Sequence, residues 1–161
     1  MPNKKIIFLD FDGVMDTAYY DNYLYRMGLP SVDPFGIVFD PDCIRNLGRI
    51  IEATGAKIVI SSTWKDFISY KDFLDMWEYR NLPGFVTDTT PSSKFDKCRG
   101  DQIDAWLKEC PTDCEYVIID DMDHSQFHEH QHEHLFVVNP YDDLNDFIAD
   151  KVIEYFKNKS L

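Results

Sequence analysis

The sequence predicts an α/β fold built on a doubly wound parallel sheet. Four short, nearly all-apolar runs contain β-branched residues and have the composition of strands that are buried on both faces. They lie at residues 6–9, 57–60, 116–119 and 135–138. Longer segments with apolar side chains at helical spacing lie between or after these runs, and strands that alternate with helices are typical of a parallel sheet.

Four helices are predicted from this spacing and from local stop signals. In the first, residues 41–54, Ile44, Leu47 and Ile50 recur at helical intervals, and Gly55 follows as a stop. The same reasoning places the other three helices at residues 66–80, 101–110 and 142–158.

The segment 16–40 has a less regular pattern than the rest of the chain. It contains several tyrosines together with Pro30, Pro34 and Gly36. We expect a small cap or flap beside the first strand, the alternative being a packed surface loop. A chain of 161 residues is expected to form one domain, residues 1–161, into which this flap is inserted.

The composition excludes some classes of function. The formal net charge is −13, with 29 acidic and 16 basic residues, so broad non-specific binding to nucleic acid is disfavoured. The first five residues contain no apolar signal region, and no apolar run reaches the length that spans a membrane. The four cysteines lack the close C-x-x-C spacing of a zinc site. We therefore expect a cytoplasmic protein with no membrane partner.

The strongest chemical signal lies where the first predicted strand ends. Asp10 and Asp12 follow four apolar residues, and in an extended segment both carboxylates point the same way. Two like charges at that distance raise one pKa or bind a cation. Gly13 permits the sharp turn by which the chain leaves the strand.

Two further predicted strands also end in polar residues. The second is followed by Ser61 and Ser62, and the third by Asp120 and Asp121. In doubly wound sheets, ligands bind at the carboxyl ends of the strands. We therefore expect these residues to lie beside Asp10 in one site.

In this order, the motifs resemble those of the haloacid dehalogenase-like (HAD) phosphatase superfamily, over nearly the whole chain. The first is Asp-Phe-Asp-Gly-Val at residues 10–14, the second is Ile-Val-Ile-Ser-Ser-Thr-Trp-Lys at 58–65, and the fourth is Tyr-Val-Ile-Ile-Asp-Asp at 116–121. The Trp-Lys pair makes the chain similar to the small HAD domains of RNA-repair proteins of the Swiss Army Knife type.

The resemblance implies a third motif, a basic residue near the start of the helix that precedes the last acidic strand. Lys94, Lys97 and Arg99 all lie in that neighbourhood. The Arg-Gly helix start favours Arg99 first and Lys97 second.

The resemblance also implies roles for the acidic residues. Asp10 is the predicted nucleophile, and Asp12 protonates the leaving oxygen and then deprotonates the attacking water. A magnesium ion is expected on Asp10, on the backbone carbonyl of Asp12 and on a carboxylate of the last motif. Asp121 is favoured as its direct ligand, with Asp120 as a supporting acid.

The remaining implied roles concern the phosphoryl group. Ser61 is predicted to donate a hydrogen bond to a phosphoryl oxygen, with Ser62 as the alternative in register. Arg99 or Lys97 neutralises the remaining charge, as phosphoryl transfer requires. Substrate contacts are further assigned to Lys65 and Gly13, whereas Trp64 is expected to be a core aromatic.

These roles predict a Mg²⁺-dependent phosphomonoester hydrolase that acts through an aspartyl-phosphate. The expected substrate is a nucleotide, a phosphorylated nucleic-acid end or another small phosphate. Two alternatives are a non-catalytic binding module on the same scaffold and a phosphotransferase that uses an alcohol instead of water.

All five histidines fall within residues 124–134, which we call the histidine segment. His128, His130, His132 and His134 alternate, and imidazoles at this spacing on a strand suit zinc, nickel or copper. The segment has no cysteine or glycine scaffold, so a mobile, solvated loop near the active site is the favoured interpretation.

Overall fold

The computed structural model describes residues 4–110, 113–139 and 143–159. The expectation of no signal region, where it concerns residues 1–3, and residue 142, the predicted start of the last helix, lie outside the described residues. Residues 143–145 are described and are not helical, so the helix predicted at 142–158 begins later than expected, at Asp146. Within the described part of the chain, no helix combines the length and the apolar character needed to cross a membrane.

In the described part of the chain, seven strands form two sheets. Their bounds are β1 Lys4–Leu9, β2 Val32–Asp33, β3 Gly36–Ile37, β4 Lys57–Ile60, β5 Val86–Thr89, β6 Cys114–Asp120 and β7 Leu135–Val137. Five of them pair in parallel in the order β5-β4-β1-β6-β7, with β1 at the centre. The predicted α/β fold with a parallel sheet is confirmed, and all four predicted strands belong to this sheet.

The sequence analysis missed β5, which lies at the edge of the sheet. Its sequence is Val-Thr-Asp-Thr, and Val86 is its one fully buried residue. The strand therefore carries neither an apolar run nor a regular alternation, the two signals by which strands are recognised.

Among the residues that the structure describes, five α-helices accompany the sheet, with bounds α1 Ala18–Arg26, α2 Pro41–Thr54, α3 Tyr70–Tyr79, α4 Arg99–Glu109 and α5 Asp146–Lys159. The helix predicted at 41–54 matches α2. The helix predicted at 66–80 begins too early, because the Ser69 hydroxyl accepts a hydrogen bond from the Asp72 amide and caps α3. The residues before it form a short 3₁₀ turn, Thr63–Asp66. α4 begins at Arg99, two residues before its predicted start.

Helices cover both faces of the sheet. On one face, side chains from α2, α3 and α5 pack against alternate strand residues in a core that includes Leu9, Ile60 and Ile119. On the other face, α4 packs Ile103 and Trp106 against the intervening strand residues. Because both faces are buried, the strands read as continuous apolar runs.

The segment 16–40 contains α1 and the two-stranded hairpin β2–β3. Arg80, which caps the C-terminus of α3, donates two hydrogen bonds of 2.7 Å to the Asp33 carboxylate. It also donates to the backbone carbonyls of Gly36 and Ile37, at 3.3 and 3.0 Å. Although burial raises the pKa of Asp33, the hydrogen bonds from Arg80 hold it below its ordinary value. The hairpin is thereby attached to the body of the fold.

Candidate active site

Three site residues lie side by side at the carboxyl edge of the sheet. The strand ladder continues into them, because the Asp10 amide donates to the Ile119 carbonyl at 3.1 Å and the Ser61 amide donates to the Leu9 carbonyl at 2.9 Å. Asp120 is the last residue of β6. Parallel strands thus bring together residues that are about 50 and 60 positions apart in the chain.

The carboxylates of Asp10, Asp120 and Asp121 converge at this edge. Each has an oxygen within 4.8 Å of an oxygen of the other two. Asp10 and Asp120 are buried, whereas Asp121 is more exposed than either. Burial, and then the charge of Asp120, raise the pKa of Asp10 to about 9. Burial also raises the pKa of Asp120 to about 6, although Arg99 opposes the shift.

Arg99 supplies the positive charge of this cluster. Its Nη1 lies 3.1 Å from Asp120 Oδ2 and 3.5 Å from Asp10 Oδ1, and it also donates to the carbonyl of Ser61. The Arg99 side chain is only 6% exposed. Of the three candidates for the third motif, the structure brings Arg99 to the carboxylates, whereas Lys94 and Lys97 are exposed and form no ion pair with them. We call Asp10, Asp120, Asp121 and Arg99 the polar centre.

Position 13 requires glycine for two reasons, its backbone conformation and the closeness of Asp121. Its φ is +75°, a conformation that side chains other than glycine rarely adopt. A Cβ atom built at this position would lie 2.5 Å from Oδ2 of Asp121. Glycine therefore lets the loop after β1 approach the last acidic motif closely.

Asp12 points toward a different neighbour. The indole Nε1 of Trp64 donates to both of its carboxylate oxygens, at 3.1 Å each. Asp16 also lies against Asp12, and burial together with a hydrogen bond to Asp12 raises the pKa of Asp16 to about 7. Trp64 packs against the core through an edge-to-face contact with Phe11, at 5.1 Å between ring centroids. The indole thus holds the Asp12 carboxylate in a defined position.

The two serines after β4 differ in their contacts. The Ser62 hydroxyl accepts a hydrogen bond from the Trp64 amide at 3.2 Å and caps the 3₁₀ turn. The Ser61 hydroxyl is fully buried and has no hydrogen-bond partner among the described residues. Between the two, the hydroxyl of Ser61 is therefore the one available to a ligand.

Lys65 is buried close to the polar centre. Its side chain is 5% exposed, and Nζ donates to the hydroxyl of Ser92 and lies 3.8 Å from Asp66. Burial lowers the pKa of Lys65, and the nearby charge of Arg99 lowers it further.

The histidine segment is partly solvated, as expected, with His124 and His130 exposed, but it is folded and not a plain loop. It contains two 3₁₀ turns, His124–Gln126 and Glu129–His134, and packs on the start of α4. His128 Nε2 lies 2.7 Å from the Asp101 carboxylate, and the buried Gln131 side chain donates to the Gly100 carbonyl at 3.0 Å. Gly100 allows this approach, since a Cβ there would lie 3.1 Å from the His128 amide nitrogen.

The alternating histidines do not form the common face that a strand would give them. His128 stacks on His130, whereas His134 stacks on Tyr116. Among the described residues, the one metal-compatible group that contains a histidine joins His128 to Cys98 and Asp101, with ligand atoms within 4.8 Å of one another. Because the segment touches the turn of α4 that begins at Arg99, its contacts support the position of that arginine.

The fold and the site together define a haloacid dehalogenase-like (HAD) domain. Two solved structures share this fold, both with a TM-score of 0.50. One is a haloacid dehalogenase-like family hydrolase from Streptococcus pneumoniae, 14% identical over 93% of this chain and 90% of that chain. The other is the HAD domain of the effector protein Lem4 from Legionella pneumophila, an inactive mutant, 17% identical over 98% of this chain and 93% of that chain.

The family can be named more narrowly. A family model described as the HAD domain in Swiss Army Knife RNA repair proteins matches residues 6–147, and the chain belongs to this family. The resemblance inferred from the motifs is confirmed, and the chain has a hydrolase-type scaffold. A search of curated proteins found no match.

Two contacts of the site were not anticipated from the sequence. Trp64 packs against the core, as expected, but its indole also donates to the Asp12 carboxylate. Asp16 contacts Asp12 as well. The Trp-Lys pair after the second motif was a signal for Trp64, but nothing in a linear pattern indicates which carboxylate an indole reaches 52 residues away.

Proposed function

We propose that this protein is a phosphomonoester hydrolase in which a carboxylate oxygen of Asp10 attacks the phosphorus atom. The observation that supports this most strongly is the polar centre, where three carboxylates and a buried arginine converge at the carboxyl edge of an HAD fold. Such a cluster of like charges is unfavourable unless one carboxylate is protonated or the cluster binds a cation.

In the first half-reaction, Asp10 forms a bond to phosphorus as the bond to the leaving oxygen breaks. Asp12 gives a proton to that oxygen, so that an alcohol departs. Arg99 favours the ionised, nucleophilic form of Asp10 because it lies 3.5 Å from the Asp10 carboxylate. The Ser61 hydroxyl and the buried Lys65 ammonium are the proposed contacts of the phosphoryl oxygens.

In the second half-reaction, water attacks the phosphorus of the aspartyl-phosphate. Asp12, now ionised, removes a proton from that water, and the bond between Asp10 and phosphorus breaks to release phosphate. The indole of Trp64 keeps the Asp12 carboxylate in one place through both steps. Trp64 is therefore a positioning residue in this mechanism.

Proteins of this family typically use a divalent metal, and the donor set here fits one. Asp10, Asp120 and Asp121 offer only oxygen atoms, which favours Mg²⁺ over softer metals. We propose that these carboxylates, together with the backbone carbonyl of Asp12, hold Mg²⁺. When bound, the ion neutralises negative charge on the carboxylates and the phosphoryl oxygens.

The proposed substrate is a small phosphorylated molecule or the phosphorylated end of a nucleic acid. The second option is supported by the description of the family and is opposed by the net charge of −13. An internal phosphodiester lacks the dianionic terminal group that the site would hold.

The test is a screen of phosphomonoesters with Mg²⁺, run beside Asp10→Asn. We expect hydrolysis that chelation abolishes, and a loss of at least about 1,000-fold in kcat for the variant. Hydrolysis that survives thorough chelation, or an Asp10→Asn variant that retains activity, would overturn the proposal. Adding an alcohol acceptor and analysing the products separates hydrolysis from phosphotransfer.

A further inference from the structure

A groove of about 400 Å³ opens beside Asp12, on the side of the site where the hairpin β2–β3 lies. Its walls are mostly apolar and include Phe35, Ile37, Trp64, Phe67 and Ile68. Among the described residues that line it, Asp12 alone is charged. A concave, mostly apolar surface of this size with few polar groups is typical of a small-ligand site.

The position of the groove follows from the chemistry of Asp12. A general acid must touch the leaving oxygen, so the rest of the leaving group has to extend from Asp12. The indole that binds the Asp12 carboxylate also forms part of the groove wall. The acid and the apolar surface are thus parts of one structural unit.

The groove is preformed. Arg80 holds the hairpin through Asp33 and through the carbonyls of Gly36 and Ile37. Gly36 lies close to Trp64, since a Cβ built at Gly36 would lie 3.6 Å from the indole ring. Phe67 also lines the groove and is 88% exposed although its ring is large and apolar. An aromatic ring left in water beside a catalytic group is available to a ligand.

The charge of the groove restricts what it binds. The cations near the groove are Arg99, Lys65 and Arg80. Arg99 is paired with carboxylates of the polar centre, Lys65 with Asp66 and Arg80 with Asp33, and none of the three lines the groove. A further phosphate on the leaving group would therefore lie next to Asp12 with no compensating positive charge. This disfavours a chain of nucleotides whose backbone continues along the groove.

We propose that the groove binds the leaving group of the substrate, and that this group carries a planar, uncharged ring. The proposal rests on the proposed function, since it assumes that Asp12 protonates the leaving oxygen. A phenol ring and a nucleobase share this chemistry, and the choice between them is left to the experiment. Phe67, Phe35 and Ile37 are the residues that determine the preference.

The experiment compares 2-phenylethyl phosphate with propyl phosphate at fixed Mg²⁺, because the two alcohols differ little in acidity. We expect kcat/KM to be at least about tenfold higher for the aromatic ester, the effect of burying one ring. Phe67→Ala should bring this ratio close to one. Phe85→Ala is the matched control, since Phe85 is 70% exposed and lies at the amino end of β5, away from the carboxyl ends of the strands where the site lies. This variant should leave the ratio unchanged.

Phosphotyrosine, a nucleoside monophosphate and an end-phosphorylated oligonucleotide form the second set of substrates. Preference for either of the first two over propyl phosphate, lost in Phe67→Ala, supports the proposal and identifies the ring. Preference for the oligonucleotide over the mononucleotide contradicts it, as does equal hydrolysis of the phenylethyl and propyl esters.

Binding of benzylphosphonate and methylphosphonate, measured by calorimetry, separates the two proposals. Neither compound can be cleaved at the phosphorus–carbon bond, so binding does not depend on turnover. Tighter binding of benzylphosphonate without hydrolysis of any ester supports the groove and rejects the proposed hydrolase. Hydrolysis that depends on Asp10, with equal binding of the two phosphonates, supports the hydrolase and rejects the groove.

Discussion

The polar centre and the apolar groove meet at Asp12 but are built in opposite ways. The polar centre consists of charged side chains at strand ends and at the first turn of α4, most of them buried and ion-paired. The groove consists of aromatic and aliphatic side chains on a hairpin and a short turn, and several are exposed. The sheet sets the positions of the residues in the polar centre, whereas side-chain contacts of Arg80 and Trp64 set the positions of those in the groove.

The comparison suggests a division of work. Phosphoryl transfer depends on groups that must be placed accurately, and the centre of a parallel sheet supplies that rigidity. Selection among substrates depends on apolar contact area and tolerates less regular structure. Changes in the polar centre should therefore reduce kcat for every substrate, and changes in the groove should alter the preference among substrates.

The largest expected effect on kcat is that of Asp12→Asn, because Asp12 lies where the two regions meet. Loss of the acid and base should lower kcat by about 1,000-fold for both aromatic and aliphatic esters. Because the second half-reaction needs the base, the variant should accumulate phosphoenzyme, which mass spectrometry detects as added phosphate on Asp10. A variant that keeps more than about a tenth of wild-type kcat would show that Asp12 is not the acid.

A loss of about 100-fold in kcat is expected for Arg99→Ala, equal for both kinds of substrate. Without the guanidinium, the pKa of Asp10 rises further, so the rate should also recover partly at higher pH. Lys97→Ala is the control, because Lys97 is exposed and lies outside the polar centre.

The comparison of these two variants assigns the third motif. Thermal unfolding of Arg99→Ala and of Arg99→Lys shows whether a loss of rate reflects a loss of folding. A wild-type rate for Arg99→Ala would move the role to a lysine.

Trp64→Phe tests the link between the two regions. It removes the indole N–H that binds Asp12 but keeps an aromatic ring, so we expect kcat to fall about tenfold and the pH profile to shift. Trp106→Phe is a matched control, since the Trp106 indole also donates to a carboxylate, that of Asp88 at 2.8 Å, on the other face of the sheet. Equal effects of the two substitutions would mean that Trp64 acts only through packing.

The smallest expected effect is on the pH dependence of folding stability. In the metal-free protein, Asp10 binds its proton more tightly when folded, with a pKa of about 9 against an ordinary value of 3.8. The stability present at low pH is therefore lost as the pH rises toward 9. Mg²⁺ competes with that proton, so it should raise Tm by about 3 to 8 °C at pH 8.5 and by less at pH 6.

Scanning calorimetry with and without Mg²⁺ measures this difference. Asp10→Asn removes the titrating group and should give nearly the same small shift at both pH values. A Mg²⁺-induced shift in wild-type Tm that does not depend on pH would mean that the ion is held without Asp10.

The sequence predicted the parts of the molecule that depend on the chain's local pattern. The runs ending at Asp10, Ser61 and Asp120 were recognised as buried strands, and parallel pairing then brought their ends together. The third motif was narrowed to three basic residues, and the helix start at Arg99 favoured the one that the structure places at the carboxylates.

Other features depend on contacts between distant segments, which a linear pattern does not carry. β5 has the composition of a loop and becomes a strand because β4 offers it a partner. The polar sequence of the histidine segment does not show that Gln131 is buried against Gly100. The bond between Trp64 and Asp12 likewise depends on how the turn after β4 packs. The catalytic roles proposed for Asp10, Asp12 and Arg99 stay predictions.

The way the hairpin is attached has a consequence for the evolution of the protein. Arg80 holds the hairpin through a carboxylate and two backbone carbonyls. The side chains of Phe35 and Ile37 take no part in those hydrogen bonds. The Phe35 ring also packs against Tyr79, whereas Ile37 is 45% exposed. Substitutions at Ile37 can therefore accumulate without detaching the hairpin, so the same reaction chemistry can be redirected to new leaving groups by few mutations.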